Sequence, residues 1–433
     1  MTHETWSIIL FVLMFGLIAL GVPVAFSLAI SGAVILAFAF DIPLILIPAR
    51  ALDVLDAWVW VAIPLFLIVG YLMNASGVTG RLVDFAQSVV GHVSGGLSHV
   101  SVATNTMLAG MSGSLIADCA AVGSILIPPM KEKGFPPGYC AAIVACGSLI
   151  GPLIPPSINF IIIGTLINTS ILRMWLGGVI PGLIVATGLI TAGYIISKRK
   201  GYAKNQRAPV REMVRTFTLA IPALVIPVGI MGGLRLGIFT PTEAGSATVL
   251  YILLIGFGVY RSLTIKGLGE ASLMAAKNTG TIGAIIAGGS VFGAALSMLG
   301  TGSIFAKAII GVSPNPVVFM CAMVALLLFL GTIIEVIPLI LIFVPLFLPV
   351  VQAFEINLVY FGVVFGYTSL VGSMTPPIGL AMYLSCSIAK TNVVQYTKHG
   401  WPFLGVLFAA DFIFVLFPQT ILWIPKLVMG LPM

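Results

Sequence analysis

The sequence predicts an all-α polytopic membrane protein built as an inverted repeat, each half carrying five crossings and one re-entrant hairpin. Three observations predict it. Of the 433 residues 59% are hydrophobic and 8% charged, and the mean hydropathy is +1.17, a composition foreign to soluble globular chains. The stretch Ser148-Leu149-Ile150-Gly151-Pro152-Leu153-Ile154-Pro155-Pro156 returns 221 positions later as Ser369-Leu370-Val371-Gly372-Ser373-Met374-Thr375-Pro376-Pro377, each inside an apolar run long enough to span a bilayer. Basic residues gather on alternate loops, as orientation in a membrane requires.

Against the roughly 20 residues needed to span, apolar runs place crossings at 6–22, 24–40, 57–73, 139–167 and 174–197, then 217–234, 243–260, 279–299, 357–389 and 401–424. The N-terminal Met-Thr-His-Glu-Thr-Trp has no basic n-region, so the apolar stretch behind it is expected to remain as a first membrane helix rather than a cleaved signal. Two further apolar stretches, about 98–130 and 316–350, are centred on Gly, Ser or Pro. They read as re-entrant hairpins, because a chain turning at mid-depth needs residues that tolerate non-helical backbone. The crossings at 139–167 and 357–389 contain the Gly and Pro-Pro breaks, where the missing amide proton and the ring clash interrupt the helix.

With the N-terminus outside, inner loops hold Arg81, Lys131, Lys133, Lys198, Arg199, Lys200, Lys204, Arg207, Arg211, Arg215, Arg261, Lys266, Lys277, Lys390 and Lys398. The outer side keeps Arg50, Arg173, Arg235, Lys307 and Lys426. The net charge of +7 therefore reports orientation, not nucleic-acid binding. Residues 198–216 read as a basic cytoplasmic linker between a first repeat, 1–197, and a second, 217–433. Residues from Gly110 to Pro156 align without gaps on Gly331 to Pro377. Five crossings per unit makes the second copy enter from the opposite side, and paired broken helices of this kind point to a transporter's binding site near the bilayer midplane.

The chemistry is sparse. The first hairpin tip, Gly110-Met111-Ser112-Gly113-Ser114-Leu115-Ile116-Ala117-Asp118, offers hydroxyls and carbonyls suited to a hard cation such as Na+, and helix N-termini suited to an anion. Close helix packing by small residues is the competing explanation. Asp118, Glu335 and Asp411 lie within apolar segments, where each costs about 2.5–3.5 kcal/mol to insert. Asp118 and Glu335 fall beside the two hairpin tips, either framing a cation site or serving as hydrogen-bonded structural carboxylates; Asp411 reads as structural. Glu243, three residues after Thr240 at the start of a crossing, fits N-terminal helix chemistry. There is no GxxxxGKS/T loop, HExxH or GxSxG, so neither ATP nor enzymatic catalysis is indicated. His3, His92, His99 and His399 are scattered, and the five cysteines have no CxxC pair, so no metal centre or redox pair is expected.

The chain resembles the large membrane (permease) subunit of tripartite ATP-independent periplasmic (TRAP) transporters, the DctM-like family. The resemblance rests on Gly21-Val22-Pro23-Val24-Ala25-Phe26, Ile63-Pro64-Leu65-Phe66, Gly113-Ser114 to Ser124, Gly151 to Ser157, Phe239 to Ala244 and Gly372 to Gly379. It implies an ion-transporter-superfamily elevator fold in the bacterial inner membrane, with the N-terminus periplasmic. It also implies Na+ symport through two or more sites, a small four-helix membrane subunit, and an organic anion delivered by a periplasmic solute-binding protein. C4-dicarboxylates, sialic acid and similar acids are the substrate classes. One implied Na+ site uses Ser112, Gly113, Ser114 and Asp118 with Gly147 and Gly151; the other uses Gly331, Thr332 and Glu335 with Gly366, Gly372, Met374 and Thr375. Ser112, Ser114, Pro155, Ser157, Thr375 and Pro376 are the implied substrate contacts. The family often has Asp where this chain has Glu335. A stand-alone divalent-anion/Na+ symporter and a membrane-embedded enzyme are the alternative readings.

Overall fold

The computed structural model describes residues 2–202 and 206–430, and every regular element among them is helical. The first part of the chain forms α1 (His3–Ala19), α2 (Val24–Phe40), α3 (Leu46–Asp53), α4 (Ala62–Ala75) and α5 (Val78–Val90). A helical hairpin follows, α6 (Gly96–Ala109) and α7 (Leu115–Glu132), then a broken crossing, α8 (Pro137–Ser148) and α9 (Ile158–Leu166), and the long α10 (Ile171–Lys200). The second part repeats the order. It runs α11 (Val210–Arg235), α12 (Pro241–Leu254), α13 (Ile265–Leu299) and α14 (Thr301–Val312), then the hairpin α15 (Pro316–Gly331) and α16 (Val336–Ala353). It closes with the broken crossing α17 (Leu358–Gly372) and α18 (Leu380–Ala389), then α19 (Val393–Leu416) and α20 (Gln419–Met429). Moving Leu115–Glu132 forward by the 221-residue spacing lands on 336–353, the bounds of α16.

Among the described residues seven helices are long and apolar enough to cross a membrane: Trp58–Ala75, α10, α11, Pro241–Val259, α13, α16 and α19. α1 and α2 are apolar helices of 17 residues each, and α14 and α15 meet at a bend of 118°. The sequence assigns α16 to a hairpin, yet its 18 residues are long enough to span by themselves. Other bounds also shift. α13 begins at Ile265, well before the expected 279, because Thr264 caps it, accepting from the Gly267 amide at 3.0 Å. Its 35 residues amount to about 52 Å at 1.5 Å per residue, more than the roughly 30 Å hydrocarbon layer needs. The last crossing starts at Val393 and stops at Leu416, ahead of Pro418. Both ends of the expected linker at 198–216 are helical, since α10 continues through Lys200 and α11 starts at Val210; Lys204 lies outside the described residues.

Two sets of helices pack most closely among themselves, although α13 also touches α16. α13 runs along α2 and α4, and α4 along α12. The α2–α13 crossing is close enough that a Cβ on Gly32 would lie 2.8 Å from the backbone of Val291 and Phe292. In the other group α8 packs on α7, α18 and α19, and α17 on α15 and α19. The start of α8 meets the start of α19, where a Cβ on Gly138 would crowd the Gln395 carbonyl. The start of α17 meets the end of α19, with the Tyr360 hydroxyl donating to the Val415 carbonyl at 2.9 Å. α8 therefore runs alongside α19 while α17 runs against it. Lys131 donates to the Ala389 carbonyl at 2.9 Å, and Phe135 lies 4.7 Å from Tyr202 between ring centroids, so the ends of α7, α10 and α18 share one edge. That edge carries Lys131, Lys133, Lys198, Arg199, Lys200 and Lys390.

The tight α2–α13 crossing is testable. Gly32→Val puts two methyls into backbone and should cost about 1–3 kcal/mol as overpacking, seen as a lower melting temperature in detergent. Gly16→Val, which has nothing within 4 Å, should melt like the wild type; equal melting of both variants would contradict the packing described.

Candidate functional site

The two broken crossings bring non-helical backbone into the interior of the protein. Between α8 and α9, residues 149–157 leave the helix, and Ser157 restarts it by accepting from the Phe160 amide at 3.3 Å while donating to the Pro152 carbonyl at 2.5 Å. Trp175 donates to the Ser157 carbonyl at 3.1 Å. The bonds Pro155–Pro156 and Pro376–Pro377 are both cis. Between α17 and α18 the Thr375 hydroxyl turns back to the Val371 carbonyl at 2.9 Å, and the Met374 carbonyl accepts from the Tyr396 hydroxyl at 3.1 Å. Backbone freed by proline at this depth is tolerated only where protein or a cavity receives it, and these bonds receive part of it.

Each hairpin tip closes on one break. At the first, Ser112 donates to Asp118 Oδ1 at 2.5 Å. Both residues are buried, and Asp118 Oδ2 has no hydrogen-bond partner. Gly113 needs its left-handed φ of 59°, and a Cβ there would stand 2.5 Å from the Pro156 carbonyl oxygen. A Cβ on Gly151 would fall on Asp118 Oδ2, so only glycine lets this carboxylate approach the break. Ser114 caps α7, accepting from the Ala117 amide at 3.4 Å. At the second tip Gly331 and Gly372 meet backbone to backbone; a Cβ on Gly372 would be 2.6 Å from the Gly331 Cα. The Thr332 hydroxyl bonds the Phe329 carbonyl at 2.8 Å.

A cavity of about 290 Å³ lies where the tips meet. Gly113, Ser114 and Glu335 line it from the hairpins, Pro152, Asn159 and Ser373 from the broken crossings, and Asn278 and Thr281 from α13. Of the residues singled out in sequence, Gly113, Ser114 and Glu335 reach this space. Ser112, Asp118 and Gly151 gather behind the first tip, and Gly147 sits 3.1 Å, measured from a built Cβ, from the Asn105 amide nitrogen. Pro155, Ser157, Thr375 and Pro376 belong to the breaks and are not among the cavity's lining residues. Gly366 faces Phe160 and Ile163 of α9, away from the second tip.

Asn159, Asn278 and Thr281 escaped the sequence reading, and Ser373, part of the second break, was not assigned a site role. Asn159 adjoins the first break and could have been found by proximity, whereas Asn278 lies one residue before the expected span at 279–299. Asp411 is fully buried and accepts from Thr368 at 2.6 Å, tying α19 to α17. Glu243 forms a capping box, its Oε2 accepting from the Thr240 amide at 2.7 Å and hydroxyl at 2.9 Å. Among the described residues no three His, Cys, Asp or Glu converge. The polar set is thus hydroxyls, amides, carbonyls and single carboxylates, a hard-oxygen environment suited to an alkali cation rather than a transition metal.

Residues 11–420 match the family model described as "Tripartite ATP-independent periplasmic transporter, DctM component". The chain is 35% identical to the sialic acid TRAP transporter large permease protein SiaM of Vibrio cholerae over 96% of its own length and 97% of the relative's. It is 33% identical to the sialic acid TRAP transporter permease protein SiaT of Haemophilus influenzae, over 98% of its length and 67% of the relative's. It is also 33% identical to the 2,3-diketo-L-gulonate TRAP transporter large permease protein YiaN of Escherichia coli, over 94% and 96%.

Ser112→Ala would leave both Asp118 carboxyl oxygens unpartnered, at a cost of about 1–3 kcal/mol. Ser114→Ala removes a cap worth about 1 kcal/mol. The first variant should therefore melt at the lower temperature in detergent; the reverse order would show that the Ser112–Asp118 bond is not what holds the tip.

Proposed function

The chain belongs to the DctM component family of TRAP transporters, and from that premise we propose that it is the Na+-coupled importing subunit for a small organic anion. It is a membrane transporter subunit, not an enzyme. Family membership implies two partners: a small membrane subunit and a periplasmic solute-binding protein. In the proposed setting the complex sits in a bacterial inner membrane with the N-terminus periplasmic, and the edge bearing Lys131, Lys200 and Lys390 faces the cytoplasm, as the positive-inside rule expects.

The observation that carries this reading is the convergence of two hairpin tips and two broken crossings on one cavity. The opposite directions of α8 and α17 along α19 support an inverted repeat, whose symmetry supplies two end states facing opposite sides. In this proposal one Na+ sits behind the first tip, near Ser112, Asp118 Oδ2 and the carbonyls freed around Gly147 and Gly151. A second sits between Gly331, Thr332 and the break at Gly372, Met374 and Thr375. The helix N-termini at Ser114, Ser157 and Glu335 direct amide groups toward the same region, where an anion is favoured.

The cavity volume, at the lower end of small-molecule sites, suits a small acid. The names of these relatives point to sugar acids as the first class to try, with C4-dicarboxylates next. The groups formed by α7, α8, α9, α15, α16, α17 and α18 would move as one bundle against a frame containing α2, α4, α12 and α13, in an elevator stroke.

The test is uptake of labelled N-acetylneuraminate, 2,3-diketogulonate and succinate into proteoliposomes holding the complex with both partners. An inward Na+ gradient should drive accumulation of at least one acid. Ser114→Phe and Thr375→Leu should abolish it with the protein still inserted. Accumulation that is equal with K+ in place of Na+, or wild-type uptake by both variants, would remove the proposed coupling and site.

A further inference from the structure

We propose that Asn278 and Thr281 of α13, the first held in place by Tyr71 of α4, form a stationary polar wall of the substrate cavity and help set which acid is carried. This rests on the moving-bundle reading above.

Asn278, Thr281, Ile282 and Ile285 line the cavity at i, i+3, i+4 and i+7, one face of a helix. The face is graded. Its polar pair lies toward the N-terminal part of α13, the part that carries Lys266 and Lys277, and isoleucines follow. Polar side chains on a spanning helix are costly unless they meet a partner or a wet cavity. Asn278 meets both, since its amide nitrogen donates to the Tyr71 hydroxyl oxygen. That bond fixes the side chain, leaving one amide N–H and the carbonyl oxygen for a ligand. Tyr71 keeps its own O–H as a donor. The Thr281 hydroxyl donates to the Lys277 carbonyl at 3.1 Å, so toward the cavity it presents lone pairs. The wall thus offers the remaining amide donor of Asn278 to a carboxylate or ketone and an acceptor from Thr281 to a hydroxyl. That combination suits a hydroxylated acid better than a plain dicarboxylate.

Its partners across the cavity are Ser114, Glu335 and Ser373 on the hairpins and breaks. α13 packs most heavily on α2 and α4, and α4 on α12, while α13 also touches α16 of the bundle; with α13 and α4 in the frame, a stroke slides α16 past α13 and separates the two walls. The substrate then meets Asn278 and Thr281 in one end state only. Substitutions there act on turnover and on preference between acids, not on capture from the loaded binding protein.

The experiment uses the complex with both partners in proteoliposomes under an inward Na+ gradient, with labelled N-acetylneuraminate and labelled succinate as probes. Asn278→Leu and Thr281→Val should each lower kcat for N-acetylneuraminate relative to succinate about tenfold, the loss of one hydrogen bond to a polar or charged ligand group. KM for the loaded binding protein should hold, and Asn278→Gln should restore part of kcat. An unchanged kcat ratio in both variants overturns the wall's role. A separate arm joins Thr281→Cys to Ile337→Cys with a short bismaleimide in a cysteine-free background. Transport that stops on cross-linking and returns in uncross-linked controls supports a moving tip against a fixed α13. Transport that continues through a complete cross-link overturns the moving-bundle reading even where the kcat ratio has changed.

Discussion

Backbone amides and carbonyls freed in the middle of an apolar protein govern this structure. Each proline break releases several of them where water is scarce, and an unsatisfied polar group there costs several kcal/mol. The fold answers by bringing hairpin tips to the breaks. Ser157 caps α9 while bonding the Pro152 carbonyl, Tyr396 reaches the Met374 carbonyl, and Trp175 takes the Ser157 carbonyl. What these contacts leave unmet becomes polar capacity concentrated around one small cavity.

That arrangement demands close backbone approach, which explains the glycines at four positions. Gly151 admits the Asp118 carboxylate, Gly113 lies against the Pro156 carbonyl, and Gly331 and Gly372 touch one another. A methyl at any of these would push a tip away from its break and open the interior to lipid or water. Packing tightness and polar chemistry are therefore the same requirement at these positions, since the tip that seals the break also brings its hydroxyls and helix N-terminus to the cavity.

The architecture was legible because the breaks are chemically loud. Gly and Pro-Pro in an apolar run leave few structural options, and the fixed spacing of 221 residues aligned the second hairpin, whose helices end within three residues of the expected bounds. Polar helices were harder to see. The first turns of α13 carry Lys266, Glu270 and Lys277 and read as loop, although Thr264 caps them into helix, so Asn278 fell outside every expected span. α5 and α14 are short and amphipathic, which hydropathy alone does not separate from connecting segments. Within the site, residue type indicated polarity without direction. Ser157 turns to the Pro152 carbonyl of its own break and Thr375 to the Val371 carbonyl in the last turn of α17, and Gly366 packs on an aromatic ring, since a small residue in a helix serves packing as readily as it serves a cation.

The two tips differ in where they place charge, and the difference bears on coupling. Asp118 sits behind the first tip, bonded to Ser112 and sealed from the cavity, whereas Glu335, at the position matching Ser114, lines the cavity itself. On the proposed reading an organic anion enters the space that Glu335 borders. An ionised Glu335 and an organic anion about 4 Å apart would repel by roughly 4 kcal/mol at an effective dielectric of 20. On that same reading, a cation between the second tip and its break would change the sign of the local field, and the anion would be attracted only after the cation had arrived. Among the described residues no Lys or Arg lines the cavity to do this permanently. In the proposed cycle a fixed positive charge would hold the anion at both ends of the stroke, whereas a mobile cation would leave and let the anion go.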